Sequence, residues 1–324
     1  MLLVSPHVSC VPSYPVSPHT SVSCVSAELH PCFNGGECIQ KKSCDCGRYN
    51  ASGSRCQIVY NTGADRENIC RTWGQYHYET FDGVYYYYPG TSTYDLLRQS
   101  DPEEPSFAIQ VHNDRDCGPR PYSCRRSLSL YFAGIGEITL QNRIVLHNNV
   151  RVGLPYTVGN VKIQAVSGYV VVRQQYVFSM AWDGNSSVYL KMSPDYFGRT
   201  HGLCGNNNWI PQDDLVTSYG KLTENIEEFV NSWREDLPHK SSPAAPFLYE
   251  PPCAKTSPRV TQMSHSLCSA LLQDPFHTCH HVVSPSPFMA SCATDLCRIM
   301  VTYVGNGDLL RVMVTSVDNG DLSG

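Results

Sequence analysis

Charge is scarce in this 324-residue sequence: Asp, Glu, Lys and Arg make up only 16% of it, against about a quarter in an ordinary globular chain. The 24 basic residues are outnumbered by 29 acidic ones, for a net charge of −5, and no contiguous basic block stands out. Nothing in that distribution could build a phosphate-tracking groove, so a nucleic-acid partner is not expected. Long apolar runs are missing too. No stretch approaches the roughly 18 apolar residues a membrane span needs, although apolar residues are 41% of the chain, enough for a folded core.

What is abundant points elsewhere. Sixteen cysteines fall in spaced groups, and Gly (23), Pro (22) and Tyr (20) favour turns and strands over long surface helices. Grouped cysteines at this density imply an oxidising, extracellular setting and a secreted product. No signal peptide is evident: Met1 to Val4 is a short apolar run with no basic residue before it, closely followed by Pro6. The start reads as that of a fragment or an alternative one. Residues 1–23 are rich in Ser, Pro and Val, lack periodicity and read as disordered, with Cys10 lacking an obvious partner.

From Cys24 onward six cysteines occupy 33 residues: Cys24, Cys32, Cys38, Cys44, Cys46 and Cys56. So short a segment cannot hold itself by apolar burial, and cross-links must take the place of a core. Spacing alone allows 15 pairings. With Asn34-Gly35-Gly36 between the second and third cysteines, residues 24–56 resemble an EGF-like module. That resemblance implies pairs 24 to 38, 32 to 44 and 46 to 56. The acidic residues that calcium-binding versions carry before the first cysteine are replaced by Ser21, Val22 and Ser23, so no ion is placed there.

Residues 70–237 read as antiparallel β structure of sandwich or barrel type. Candidate strands are Ser106 to Val111, Leu128 to Phe132, Ile138 to Leu146, Val161 to Ala165, Tyr169 to Arg173, Tyr176 to Trp182 and Val188 to Met192. One segment breaks the pattern: Leu222, Ile226, Phe229, Val230 and Trp233 share a helical face that would pack on the β domain and close it.

The start of this region, Cys70, Trp73-Gly74, His77-Tyr78 and Thr80-Phe81-Asp82-Gly83, and its end, Gly202-Leu203-Cys204-Gly205-Asn206, together resemble the von Willebrand factor type D domain. After a linker at 238–252, Cys253, Cys268, Cys279, Cys292 and Cys297 look like the start of the helical eight-cysteine domain that follows it, truncated here and ending in an atypical tail at 298–324. An EGF-like module ahead of a type D domain is similar to the otogelin family, glycoproteins of the acellular membranes of the inner ear. SCO-spondin and the gel-forming mucins come next. The resemblance implies disulfides Cys70 to Cys204 and Cys117 to Cys124, with other family cysteine positions held by Ser92, Asp101 and His201. It also implies a non-enzymatic structural glycoprotein whose partners are other matrix or gel glycoproteins, the alternative being an adhesion or binding protein of the SCO-spondin or mucin type. The oligomeric state stays open.

Asn206, Asn208, Asp213 and Asp214 crowd into nine residues, and calcium takes six to eight hard oxygen ligands. By resemblance Asp82 and the Ile210 carbonyl complete a Ca²⁺ site. Such a loop can also be a plain polar turn, and its spacing is not that of an EF-hand. Where some relatives cleave themselves at Gly-Asp-Pro-His, this chain has Gly74-Gln75-Tyr76-His77, without the labile carboxylate or the proline, so no cleavage is expected and His77 reads as structural. Where some carry Cys-Gly-Leu-Cys, it has His201-Gly202-Leu203-Cys204, and one thiol cannot cycle as a dithiol. His277, Cys279, His280 and His281 could suggest zinc, but a disulfide is the expected state of Cys279. Glu103 and Glu104 read as a solvated loop. Asn50-Ala51-Ser52 and Asn185-Ser186-Ser187 are glycosylation acceptors. With five of eight cysteines, the last domain is expected to leave thiols without partners and to be unstable.

Overall fold

The computed structural model describes residues 32–40, 43–61, 68–74, 76–100, 106–113, 125–235 and 250–304. Residues 1–23, the expected 24–38 and 117–124 disulfides, Asp101, Glu103 and Glu104, and most of the linker and tail lie outside them.

The architecture is mainly antiparallel β with a few helices, the longest of them 19 residues. A small hairpin, β1 (Glu37–Gln40) and β2 (Ser43–Asp45), precedes β3 (Ala51–Ser52) and β4 (Ile58–Tyr60). Then follow β5 (Ile69–Trp73), β6 (His77–Glu79), β7 (Val84–Tyr87), β8 (Thr93–Gln99), β9 (Phe107–Asn113), β10 (Arg126–Phe132), β11 (Gly136–Gln141), β12 (Ile144–His147) and β13 (Val150–Val152). The second half adds β14 (Tyr156–Val158), β15 (Val161–Val166), β16 (Tyr169–Gln174), β17 (Phe178–Trp182), β18 (Val188–Met192), β19 (Thr200–His201) and the helices α1 (Ile226–Ser232), α2 (Pro258–Cys268) and α3 (Ser286–Val304).

Two large sheets result. One runs β13-β12-β11-β10-β9-β8-β19, the other β14-β15-β16-β17-β18-β5-β6-β7-β4-β3. Strict alternation fixes their inner faces: in β9 every second residue from Phe107 to Asn113 is buried, and in β18 Val188, Leu190 and Met192 point in while Tyr189 and Lys191 point out. Leu128, Leu130, Ile138 and Leu140 of the first sheet join Ile163, Val172, Met180 and Leu190 of the second in a single core, and Phe107 and Phe132 meet Phe178 at ring separations of 5.6 and 6.1 Å. The ten-stranded sheet also takes in β3 and β4 from the amino-terminal module: Val59 pairs with Tyr85 and Tyr60 with Val84. The two modules thus share one hydrogen-bonded sheet.

Local chemistry moves three boundaries from where periodicity set them. Ile138 to Leu146 is a hairpin, β11 and β12, because Asn142 and Arg143 both take positive φ (49° and 62°) and reverse the chain. Tyr176 is a turn residue at φ 63°, 79% exposed, and β17 begins only at Phe178. The closing helix starts at Ile226, where Asn225 caps it by accepting the Glu228 N–H at 3.2 Å. Leu222 lies outside it, exposed and bridged to Val216, while Ile226, Phe229, Val230 and Trp233 enter the core.

The carboxy-terminal helices form a further correction. Cys253 bonds Cys297 and Cys268 bonds Cys292, so four of the five cysteines, expected to lack partners, are paired. These bonds tie α2 and the segment before it to α3, whose inward face is Met289, Ala290, Ala293, Cys297 and Met300. Cys279 is the free thiol among the described residues and is exposed, against the disulfide expected for it. With the other four satisfied in pairs, an odd count leaves one over.

Candidate functional site

The acidic loop is assembled from two distant pieces of chain. Its first piece is the turn between β6 and β7. There Thr80 N–H donates to Val84 O, Val84 N–H donates to the Thr80 hydroxyl at 2.9 Å, and Gly83 takes φ 83°. The turn presents Asp82 to the interior. Its second piece follows β19 and is bound down by a disulfide between Cys70 and Cys204, by Phe81 N–H donating to Cys204 O at 3.0 Å and by the Tyr86 hydroxyl donating to Leu203 O at 2.8 Å.

The glycines here have specific tasks. At Gly202 (φ 126°) a Cβ would sit 2.9 Å from the Leu96 carbonyl, since Leu203 and Cys204 donate their N–H groups to Asp95 and Leu96. At Gly205 (φ 77°) a Cβ would fall 2.1 Å from Asp214 Oδ1. Only a residue without a side chain lets the backbone pass so close.

The expected residues Asp82, Asn206, Asn208, Ile210, Asp213 and Asp214 are brought together. Asp82 accepts the N–H groups of Asn208 (2.9 Å) and Trp209 (3.0 Å). Asp214 accepts the Thr80 hydroxyl (2.5 Å) and the Asn206 N–H (3.0 Å). The amides of Asn206 and Asn208 donate to Asp213 at 2.7 and 2.9 Å, Asn208 Oδ1 accepts the Ile210 N–H, and the Ile210 carbonyl accepts the Asp213 N–H. Asp82 and Asp214 are 1% and 2% exposed. Burial, then the neighbouring charge of Asp82, pushes the Asp214 carboxyl up to about 8; the other charge it feels is that of Asp213. Asn206 Oδ1 is buried without a hydrogen-bond partner.

Among the described residues no three His, Cys, Asp or Glu side chains form a metal-holding group. Any cation here would therefore draw on amide and carbonyl oxygens beside Asp82 and Asp214. The orphaned Asn206 oxygen and the buried carboxyls of Asp82 and Asp214 fit a hard cation, which would satisfy the one and neutralise the others.

Three contributors were not legible from spacing: Thr80, whose hydroxyl holds both its own turn and Asp214; Gly205, packed on the carboxylate; and Trp209, held at φ 69° with half its surface exposed. The Thr80-Phe81-Asp82-Gly83 turn signature carried the only hint of the first.

Elsewhere, His77 is fully buried: Nδ1 meets the Tyr85 hydroxyl and Nε2 meets Asp295 Oδ1 of α3, both at 3.0 Å. His201 stacks on Trp233 at 5.3 Å. His277 and His280 meet edge to face, and His280 Nε2 bonds Leu271 O. Cys32 bonds Cys44 and Cys46 bonds Cys56. Asn50 ends a short 3-10 turn before β3, and Asn185 lies in the β17–β18 turn, its N–H held by Asp183.

Comparison with known proteins bears on the domains of the chain. Residues 70–221 match the von Willebrand factor type D domain, residues 32–61 the otogelin-like N-terminal domain and residues 267–305 the C8 domain. The chain is 52% identical to otogelin of Homo sapiens over 278 residues, 86% of this chain and 10% of that protein. It belongs with the type D proteins of the otogelin kind. Otogelin-like protein of Mus musculus is 41% identical over 83% of the chain and 12% of its own length, and SCO-spondin of Rattus norvegicus 29% identical over 85% and 5%. The chain spans about a tenth of the otogelin and otogelin-like proteins it matches.

Proposed function

We propose that this chain serves as a secreted, non-enzymatic structural unit of an extracellular gel or acellular membrane, with its type D domain stabilised by Ca²⁺. The observation that carries the ion is the buried Asp214, its carboxyl raised by burial and by the charge of the equally buried Asp82, beside the unsatisfied Asn206 oxygen. Asp82, Asp214, Asn206 and the Ile210 carbonyl would hold the cation, Asn208 and Asp213 completing the shell with water. Bound there, it would tie the β6–β7 turn to the loop after Cys204.

The structural role is supported by the resemblance to otogelin and by a build in which disulfides pin each module while one sheet runs through two of them. Extracellular placement is supported by the same disulfides, and the partners would be other matrix or gel glycoproteins. His77 supports the non-enzymatic reading, since its imidazole is committed to Tyr85 and Asp295 on both nitrogens.

The test is thermal. A ligand bound at a hundred times its Kd adds about 2.7 kcal/mol to stability. Millimolar Ca²⁺ is expected to raise the Tm of the purified chain and chelation to lower it, and a Tm indifferent to both would remove the ion.

A further inference from the structure

The outer face of the ten-stranded sheet carries a charge pattern that the linear sequence hides. In the pairing register Thr157 lies opposite Lys162, Lys162 opposite Arg173, Arg173 opposite Ser179, and Ser179 opposite Lys191. One transverse row across β14 to β18 therefore presents three cations with two hydroxyls between and beside them. Lys162, Arg173 and Lys191 are all exposed, and the alternation of β15, β16 and β18 puts them on the solvent side. At about 4.8 Å per strand, the row from Lys162 to Lys191 is roughly 14 Å long.

Lys162 and Arg173 face each other directly. Like charges opposite one another across strands are destabilising, and among the described residues neither has a carboxylate within ion-pair distance. A chain with a net charge of −5 has acidic residues in excess, yet none is spent on this pair. Farther along the same face, Tyr189, two residues from Lys191, and Tyr169, four from Arg173, meet edge to face at 6.2 Å, Tyr189 being 37% exposed. Cations in line, hydroxyls between them and tyrosine rings beside them suit an extended polymer that alternates anionic groups with sugar rings: the charges meet the cations and the apolar ring faces lie on tyrosine.

We propose that this face binds a sulfated polysaccharide. The row is independent of the cation loop, so the two readings stand or fall separately. The experiment measures binding of the full chain to immobilised heparin at increasing NaCl, with neutral dextran and polyglutamate as comparisons. Salt-sensitive binding to heparin, none to dextran and weaker binding to polyglutamate is expected. Replacing both Lys162→Ser and Arg173→Ser should lower heparin affinity about tenfold and make the slope of log affinity against log salt shallower by roughly one to two. The same change at Arg143 and Arg151, exposed on the other sheet, should leave it unchanged.

Because the substitutions remove a repulsion from an exposed face, the Tm should not fall. Lys162→Glu, which gives Arg173 an ion partner and lowers the charge of the row by the same two units, keeps the fold and should weaken binding about as much. No heparin binding by the unaltered chain, equal binding by the double variant, or preference for polyglutamate would overturn the proposal, the last pointing to an acidic protein segment instead.

Discussion

At the scale of single residues the molecule is governed by groups held against their chemical preference. Asp214 is one: its raised carboxyl keeps a proton in the ion-free folded state that the unfolded chain releases near 3.8. A folded value above the unfolded one means that its contribution to stability is full below about pH 4 and is lost as pH rises towards 8. His265 moves the other way: its imidazole, buried beside Tyr49, is pushed down to about 4, so its contribution is present above the unfolded value of 6.5 and lost as pH falls through 4. Between pH 7 and 8 the Asp214 term is the relevant one, and Ca²⁺, which needs the carboxylate, should bind more tightly as pH rises. Asp214→Asn removes the buried charge without changing the shape much. It is expected to abolish any Ca²⁺-induced rise in Tm while leaving the Tm in chelator unchanged or higher at pH 8. A lower chelator Tm, or a retained Ca²⁺ response, would show that the carboxylate is not the group that matters. Of this site the sequence displayed the acidic and amide residues of the loop. It did not display Thr80, which lies over a hundred residues before Asp214, or the closeness of Gly205 to Asp214, which the path of the loop decides.

Elements show the same division between local and distant causes. Strands β9 and β18 were legible because each buries one face and alternation records it, and β16 by its run of three buried valines. Turn residues at positive φ were less so: Asn142 is a familiar turn former, whereas Arg143 and Tyr176 take that conformation only because the hairpins around them impose it. The helix α1 was recognised by its apolar face but begins later than the face suggests, because Leu222 serves the bridge to Val216 and the cap at Asn225 sets the start. Its core contact is Phe229, fully buried and edge-on to Tyr86 at 5.7 Å. Phe229→Ala should therefore cost about 3–5 kcal/mol in chemical denaturation. Leu222→Ala, on an exposed side chain, should cost less than about 1 kcal/mol. Equal losses would mean that the helix extends to Leu222 after all. The row of Lys162, Arg173 and Lys191 lies at the far end of legibility, since three residues separated in sequence become neighbours only through register.

For the whole molecule, the C8 segment is a cover on the type D domain and not a loose end. Its helix α3 lies over β5 to β7: Phe288 stacks near Trp73 at 5.2 Å, Trp73 Nε1 donates to the Ser291 hydroxyl, Ala290 packs with Val59 and Tyr85, and Arg298 donates to the Tyr87 hydroxyl. On its other side α2 reaches the amino-terminal module, where His265 Nδ1 meets the Tyr49 hydroxyl at 2.5 Å. Cysteine counting missed this because the pairs are chosen by packing: α2 lies beside α3 and brings Cys268 to Cys292, and the short turn before α2 brings Cys253 to Cys297. Alkylation of the unreduced chain is thus expected to label Cys279 and to spare those four; label on any of the four would dissolve the cover. Docking itself turns on His77, whose buried Nε2 has Asp295 as its partner across the interface. Asp295→Ala leaves that nitrogen buried and unpaired, at a cost of about 1–3 kcal/mol, whereas Asp295→Asn can still complete the bond. Amide exchange should then quicken in α3 and in β6 and β7 beneath it for the alanine variant and recover in the asparagine one, with β9 to β11 unchanged in both. Faster exchange spread evenly through both sheets would mean that Asp295 serves the fold at large and that α3 is held by its apolar face alone.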